Sequence, residues 1–305
     1  MSAPDETSPR RGDVLALVSA LFAAVFLLAF RASNAEAPRA AAVLAMLGWS
    51  AIFNGALALA RARGRVARPS SITIRASIVL GVLTILGNVG VAGALQELDP
   101  GLTSTVMQTQ IFVVGVGGWL LLGEKLTGRF FVGAGFALAG FALLGGLHSG
   151  VAAVSAKGLA FAGLASVSFG GMLLYTRKVI RTIDPVRVNV LRLVLAVAAM
   201  SAWLLPQGVF GQIPTSVWWT TALAAACGPF ASRLCLMFAT RHISAARTKL
   251  ITLLSPVFAF ALEIAWLGQL PTGTELAGAG LILAGVLLPI AAAKARRGLR
   301  AGESG

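Results

Sequence analysis

Long apolar runs and short charged segments alternate along the whole chain. Each run spans about 18–24 residues, enough for a helix to cross a hydrocarbon core of about 30 Å. The pattern predicts an all-α integral membrane protein of ten transmembrane helices, joined by short loops and without an inserted soluble domain. The predicted spans are 13–30, 39–60, 72–93, 101–122, 129–147, 158–176, 186–205, 216–239, 244–267 and 274–293.

Composition and charge agree with this pattern. Of the 305 residues, 57% are hydrophobic and 12% are charged, about half the charge of an ordinary soluble domain. The lysines and arginines flank the apolar runs. With a cytoplasmic N-terminus, twenty of them lie on the cytoplasmic side and three on the opposite side, as the positive-inside rule requires. The net charge of +14 therefore indicates topology rather than nucleic-acid binding. Both termini are predicted to be cytoplasmic, in the inner membrane if the host is a bacterium.

The chain also repeats itself. Residues 122–143 and 267–288, offset by 145, are identical at eleven of twenty-two positions. The repeat predicts two five-helix copies, and because five is odd, the second copy enters the membrane from the opposite face. Inverted repeats of this kind are typical of secondary transporters. A duplicated membrane protein without transport activity is the alternative.

The predicted domain boundaries follow from the two copies. Residues 1–11 form a disordered cytoplasmic N-terminus, 12–150 the first repeat, 151–294 the second, and 295–305 a basic cytoplasmic tail. The first apolar run, followed by Ala35-Glu36-Ala37, could also be interpreted as a signal peptide. Its length and its match to a later span favour a retained helix.

Several short motifs resemble the EamA-like family of the drug/metabolite transporter superfamily. They are Leu-Gly-Glu-Lys-Leu-Thr at 122–127 with the glycine helix 133–140, Ser-Pro-Val at 255–257, and 169–178 with Phe-Gly and Arg-Lys. The resemblance implies a ten-helix carrier, often an exporter of amino acids or other small metabolites. Two positions depart from the family pattern: Ala20-Leu21-Phe22 replaces a Trp-Gly pair, and Gln269 replaces a glutamate.

Polar residues within apolar runs are the candidate substrate-binding residues, because they are costly in lipid and usually face the bundle interior. Asn88 and Arg233 occupy equivalent positions of the two copies, at the offset of 145. An arginine there would bind a carboxylate or phosphate through paired hydrogen bonds. The alternatives are that Arg233 snorkels to the cytoplasmic interface and that Asn88 only bridges two helices.

The ninth span carries a polar stripe of Lys249, Thr252, Pro256 and Glu263, which share one line at 100° per residue. Pro256 is expected to free a backbone carbonyl inside this helix. Glu263 is the candidate for ion coupling, by protons, because it is the acidic residue placed within an apolar run. The alternative is that Lys249 and Glu263 only cap the two membrane interfaces.

The fourth span corresponds to the ninth and is unusually polar. Gln108 and Gln110 cannot share one helix face, so one is expected to line a cavity and the other to contact a neighbouring helix. Arg192, three residues after Asn189 near the inner end of the seventh span, is a further substrate-binding candidate. Its alternative role is an interface anchor.

The sequence does not indicate an enzyme. It has no HExxH, GxSxG or P-loop motif, and no cofactor or metal is predicted. Cys227 and Cys235 are interpreted as small core residues, and the glycines at 115–118 and at Gly133, Gly135 and Gly140 as close helix contacts. The predicted partners are a small-molecule substrate, lipid and protons, and the oligomeric state is left open. A passive channel and a carrier of organic phosphates or nucleotide sugars are the alternative functions.

Overall fold

The computed structural model describes residues 9–62, 69–122, 128–144, 154–179, 182–208, 211, 213–243, 248, 251–268 and 270–302. Regular structure within these ranges is entirely helical, which confirms the all-α class. In chain order the helices are α1 (Pro9–Glu36), α2 (Arg39–Ala62), α3 (Ser71–Leu95), α4 (Pro100–Met107), α5 (Gln110–Leu122), α6 (Gly128–Leu144), α7 (Ala156–Val179), α8 (Pro185–Leu204), α9 (Thr215–Ala225), α10 (Arg233–His242), α11 (Ser255–Leu267) and α12 (Gly273–Gly302).

The lengths and exposed apolar side chains of the helices are those of membrane-spanning segments. Six segments of the described chain are long and apolar enough to span a membrane, and shorter apolar helices lie at 130–140 and 255–267. Large apolar side chains point outward from them, including Leu121, Leu138 and the ring of Trp266, which is 74% exposed. A water-soluble protein rarely exposes so much contiguous apolar surface. The fold is that of a multi-pass membrane protein.

The sequence repeat is also a repeat of structure. Helix α5 spans 110–122 and α11 spans 255–267, so both ends differ by 145. Helices α6 and α12 begin at Gly128 and Gly273, again 145 apart. The repeat found in the sequence therefore fixes where helices begin and end.

Contacts between the two copies come in exchanged pairs: when each helix of a contacting pair is replaced by its counterpart in the other copy, the result is again a contacting pair. Helix α3 packs on α7, and their counterparts α9, α10 and the segment joining them pack on α1. The pairs α3–α8 and α2–α9 match in the same way, as do α5–α7 and α1–α11. The pairs α2–α8 and α6–α12 each join a helix to its own counterpart. The two copies are therefore interchangeable in the packing.

Glycines set the close approach of α6 and α12. A Cβ atom on Gly140 would lie 2.7 Å from the carbonyl oxygen of Gly278, and one on Gly285 would meet the carbonyl of Gly133. These two contacts are exchanged by the repeat, and they confirm the packing role predicted for Gly133 and Gly140. The prediction for Gly135 is wrong, because a Cβ there would meet nothing within 4 Å.

Three predicted spans are interrupted. The fourth breaks in a turn at 108–109, between α4 and α5, and the ninth breaks at 253–254, before α11, which is the same point 145 residues on. The eighth contains a π-helical segment, Ala226–Ser232, with Pro229 inside it. Pro256 lies in the first turn of α11, where its missing N–H costs nothing. The prediction that Pro256 frees a carbonyl inside a helix is therefore wrong.

Helix α1 belongs to the main core. Phe26, Leu27 and Phe30 are buried there against residues of α2, α3, α8 and α9. Phe30 is fully buried, and Phe26 stacks on it with ring centroids 5.5 Å apart. Helix α1 is therefore an integral part of the fold.

Candidate functional site

A polar cluster joins side chains of α7, α8 and α10 of the second copy to α3 of the first copy. Helix α8 is started by Asp184, whose Oδ1 accepts a hydrogen bond from the Val186 N–H at 3.0 Å, with Pro185 in its first turn. This N-cap fixes the phase of α8. Two turns later, Arg192 points into the protein.

Arg192 is buried, with 5% of its surface exposed. Its Nε donates to Asn189 Oδ1 at 2.8 Å, and one terminal nitrogen donates to Thr84 Oγ1 of α3, also at 2.8 Å. Asn189 in turn donates to Asn54 Oδ1 of α2 at 2.7 Å. The interface-anchor interpretation of Arg192 is therefore wrong, because an anchor would expose its guanidinium to headgroups and water.

Arg233 follows directly on the π-helical segment. A π-turn inserts one residue and rotates the helix beyond it, so the segment decides which way Arg233 points. Helix α1 stabilises this irregular backbone, because Ser19 Oγ donates to the Ser232 carbonyl and Ser232 Oγ donates to the Ser19 carbonyl, each at 2.9 Å. Gly228 packs against the ring of Phe26. The local sequence signal for the irregularity is Gly228-Pro229.

Both guanidinium groups converge on one sulfur atom. Met172 Sδ of α7 lies 3.2 Å from a terminal nitrogen of Arg192 and 3.3 Å from one of Arg233. Within the described part of the chain, no carboxylate lies within 4 Å of either arginine. Arg233 is thus directed toward Met172 and Arg192, against the snorkelling interpretation. A buried and a half-buried cation without a counter-ion among the described residues are costly. Such a pair has the chemistry to bind an anion.

Asn88 lies next to this cluster without joining two helices. Its Nδ2 donates at 2.7 Å to the carbonyl of Thr84, the residue whose hydroxyl accepts from Arg192. The described contacts of Asn88 therefore remain within α3, and the bridging interpretation gains no support from them. Asn88 is buried, 4% exposed, one turn from the Arg192 contact.

The two glutamines are separated by the break in the fourth span. Gln108 is buried and lies in the turn, whereas Gln110 begins α5 and is half-buried. Ser166 of α7 donates to the Val106 carbonyl at 3.2 Å and so binds the backbone where α4 ends. The described hydrogen bonds connect neither glutamine side chain to the arginine pair.

The polar stripe predicted on the ninth span is not one helix face. The break at 253–254 separates Thr252 from Glu263, and helical phase is lost across a turn. Lys249 lies outside the described residues. Thr252 is half-buried just before the break.

Glu263 lies in a different cluster, at the end of the bundle where α1 finishes, which we call the Arg31 end. Its Oε1 lies 3.2 Å from a terminal nitrogen of Arg31, and its Oε2 accepts from the Gly101 N–H at 3.2 Å. Asp99 Oδ1 lies 2.5 Å from the same Arg31 nitrogen. Glu263 is buried, 3% exposed, so the interface-cap interpretation is wrong.

A cleft of about 460 Å³ opens beside this cluster, lined among others by Arg31, Asp99, Glu97 and Glu275. Hydrogen bonds from Lys157 and Ser155 hold the pKa of Glu97 below its usual value. Glu97 therefore stays ionised to lower pH than a free glutamate. The cleft gives solvent a path to Asp99, whose side chain is 37% exposed.

Five residues of these clusters were absent from the sequence-based candidates: Asn54, Thr84, Met172, Arg31 and Asp99. Thr84 and Met172 resemble any other residue of an apolar helix, so no sequence signal marks them. Asp99-Pro100 did carry a signal, because Asp before Pro is typical of a helix start. This signal would have placed Asp99 at the start of a helix, and so at one end of the helix bundle.

A duplicated, multi-pass helical membrane protein with a buried cationic cluster between its copies is the architecture expected of a transporter. The chain belongs to the EamA-like transporter family, whose profile matches it twice, at residues 10–146 and 156–290. It is accordingly a membrane transporter of the drug/metabolite type. No curated protein matches the sequence significantly.

A solved structure titled "Crystal structure of protein" has a similar fold. It is 21% identical to this chain, with a TM-score of 0.60, and the alignment covers 95% of this chain and 99% of the other. At this identity the likeness concerns the fold alone.

Proposed function

We propose that the protein is a secondary transporter that moves a small anionic or zwitterionic metabolite by alternating access. In this proposal ten crossings form two inverted five-helix repeats, and rocking of one copy against the other exposes the site to each side in turn. The exchanged contact pairs between the copies support it. The charge bias of the loops favours cytoplasmic termini in an inner membrane, with the Arg31 end facing outward.

The substrate-binding residues are Arg192 and Arg233, with Asn88 beside them. The observation that carries this assignment is the convergence of both guanidiniums on Met172 Sδ without a carboxylate among the described neighbours. Each arginine has N–H donors left over for a ligand. An amino acid or amino-acid derivative would place its carboxylate there, and the family resemblance favours export.

A phosphorylated metabolite is the second candidate. Two guanidiniums at one position match a doubly charged phosphate better than a single carboxylate. A counterflow screen with labelled amino acids, nucleosides and sugar phosphates on proteoliposomes separates the two classes. Counterflow also separates a carrier from a channel, because only a carrier accelerates uptake when unlabelled substrate is present on the other side.

The arginine site is tested by Arg233→Gln with a substrate from that screen. We expect KM to rise at least tenfold, which corresponds to about 1.4 kcal/mol of lost binding free energy. The KM of Arg233→Lys should lie between those of the parent protein and Arg233→Gln, because lysine keeps the charge but loses the paired donors. Arg187→Gln removes the same charge from an exposed position in the first turn of α8. This control should leave KM unchanged. An unaltered KM in Arg233→Gln excludes Arg233 from the anion site.

A further inference from the structure

Three charged side chains from three helices meet at the Arg31 end. Arg31 comes from α1, Asp99 directly precedes α4, and Glu263 comes from α11. Both carboxylates contact the same terminal nitrogen of Arg31, at 2.5 Å and 3.2 Å. Arg31 and Asp99 belong to the first copy and Glu263 to the second. The cluster therefore ties the two copies together at one end of the bundle.

The helices beneath the cluster are closely packed. A Cβ atom on Gly101 would collide with the ring of Phe260, so α4 and α11 are in backbone-to-ring contact there. One turn deeper, the hydroxyls of Ser104 and Ser255 lie 3.3 Å apart across the same pair of helices. Separating the copies at this end requires breaking the ion pairs first.

The positions that correspond to this cluster in the other copies of its helices do not carry the same charges. At the offset of 145, Glu263 corresponds to Gly118 and Asp99 to Ser244, while Arg31 corresponds to Arg177 at an offset of 146. The arginine is thus duplicated and the two carboxylates are not. A symmetric pair of gates would need acidic residues in both copies. At the positions equivalent to Asp99 and Glu263, the sequence supplies none in the other copy.

The charges in the cluster do not balance. Among the described residues, one guanidinium faces two carboxylates, and Glu263 also accepts from the Gly101 N–H. The excess negative charge is partly buried, because the Glu263 side chain is 4% exposed and that of Arg31 28%. A proton is the ligand that removes this excess without needing space. It can enter through the cleft, where Asp99 is 37% exposed.

We propose that Arg31, Asp99 and Glu263 form a latch that closes only the outer end of the transporter, and that proton binding by its carboxyl pair opens it. A protonated carboxyl keeps a hydrogen bond but loses its ion pair with Arg31, which loosens the contact between α1, α4 and α11. That the Arg31 end faces outward, and that its opening serves transport, rest on the proposed function. Ion coupling at Glu263 then needs Asp99 as its partner.

Other charged groups lie near the latch among the described residues. Helices α1 and α4, which pack on α11, contribute Arg31 and Asp99. The adjacent cleft adds Glu97, which is paired with Lys157 at 2.6 Å, and Glu275, whose carboxylate accepts from the Thr272 N–H at 2.7 Å. Glu275 lines the same cleft without contacting Arg31 among the described pairs. It therefore provides a matched control for the loss of one carboxylate.

The test measures access to a cysteine beneath the latch. Ser104→Cys is introduced with Cys227→Ala and Cys235→Ala, and its labelling by a membrane-impermeant maleimide is measured from the outside between pH 8 and pH 5. Rates are divided by that of Ala156→Cys, an exposed position, which cancels the titration of the thiol itself. We expect the ratio to rise about fivefold or more on acidification, since a change of that size reflects a modest shift in a two-state equilibrium.

Variants of the latch make the outcome decisive. Glu263→Gln mimics the protonated state, so its ratio should be high and independent of pH, and Asp99→Asn provides a second, more exposed site if Glu263→Gln fails to fold. Glu275→Gln should follow the parent protein, because glutamine preserves the cap of α12. The latch proposal is refuted if the labelling ratio does not change with pH in the parent protein and is the same in Glu263→Gln and Asp99→Asn. Labelling needs no substrate, so a protein with the expected labelling but no counterflow refutes the proposed function alone.

Discussion

At the scale of single residues, the polar cluster depends on Thr84 as much as on the arginines. Thr84 Oγ1 accepts from Arg192 at 2.8 Å and donates to the Leu80 carbonyl at 2.6 Å. Thr221 is equally buried, but its hydroxyl bonds only to carbonyls of its own helix among the described contacts. The two threonines therefore differ in one feature, the contact with a buried cation.

Thr84→Val should destabilise the protein by about 1–3 kcal/mol, because it leaves a buried guanidinium donor without its acceptor. Thr221→Val removes a hydroxyl from the same kind of environment and should cost distinctly less. The measurement is the midpoint of unfolding by SDS in mixed micelles for both variants. Equal losses would mean that the Arg192–Thr84 contact contributes nothing beyond a hydroxyl–carbonyl bond.

At the scale of elements, α6 and α12 approach each other backbone to backbone. The Gly140–Gly278 and Gly285–Gly133 contacts bring the backbone of one helix against the other, and small residues are the usual means of such approach in membranes. Gly135, on the same helix as Gly140, faces open space. Alanine substitutions at Gly140 and Gly135 therefore separate the effect of close helix packing on stability from the effect of helix propensity.

Gly140→Ala is expected to destabilise the protein by about 1–3 kcal/mol, since its methyl group would collide with a backbone carbonyl that cannot move alone. Gly135→Ala should be neutral or slightly stabilising, because alanine is the better helix former. Thermal unfolding of both variants in one detergent gives the comparison. A loss in Gly135→Ala as large as that in Gly140→Ala would show that the close approach is not what matters.

At the scale of the whole molecule, the inverted arrangement makes a prediction about sidedness. The connection between the copies follows five predicted crossings, so residues just before α7 should lie outside, whereas those between α7 and α8 should lie inside. Ala156 and Thr182 are exposed positions in these two regions.

Ala156→Cys should react with an impermeant maleimide on intact cells, and Thr182→Cys only after permeabilisation. Both are made in a background with Cys227 and Cys235 replaced by alanine. Because each cysteine lies outside the helical core, neither substitution should disturb folding. Reaction of both from the same side would mean that α7 does not cross the bilayer, and the inverted-repeat proposal would fail.

The sequence alone determined the helical class, the membrane environment, the duplication and the family, because each depends on local signals. Apolar length fixes spans, flanking charge indicates sidedness, and repeated residues show duplication. The break at 108–109 and its counterpart at 253–254 were not predicted, because the segment around each is long enough for one continuous span. The apolar helical segments were therefore predictable, and the continuity of the helices within them was not.

The tertiary structure decided which polar residues meet. Arg192 and Arg233 were found as candidates, but only packing shows that both reach Met172, because the direction of Arg233 depends on the π-helical segment before it. Glu263 was found too, but its partners Arg31 and Asp99 come from helices far away in the sequence. Helix phase is a local property of an unbroken helix. Once turns and π-segments shift that phase, the neighbours of a side chain depend on long-range packing.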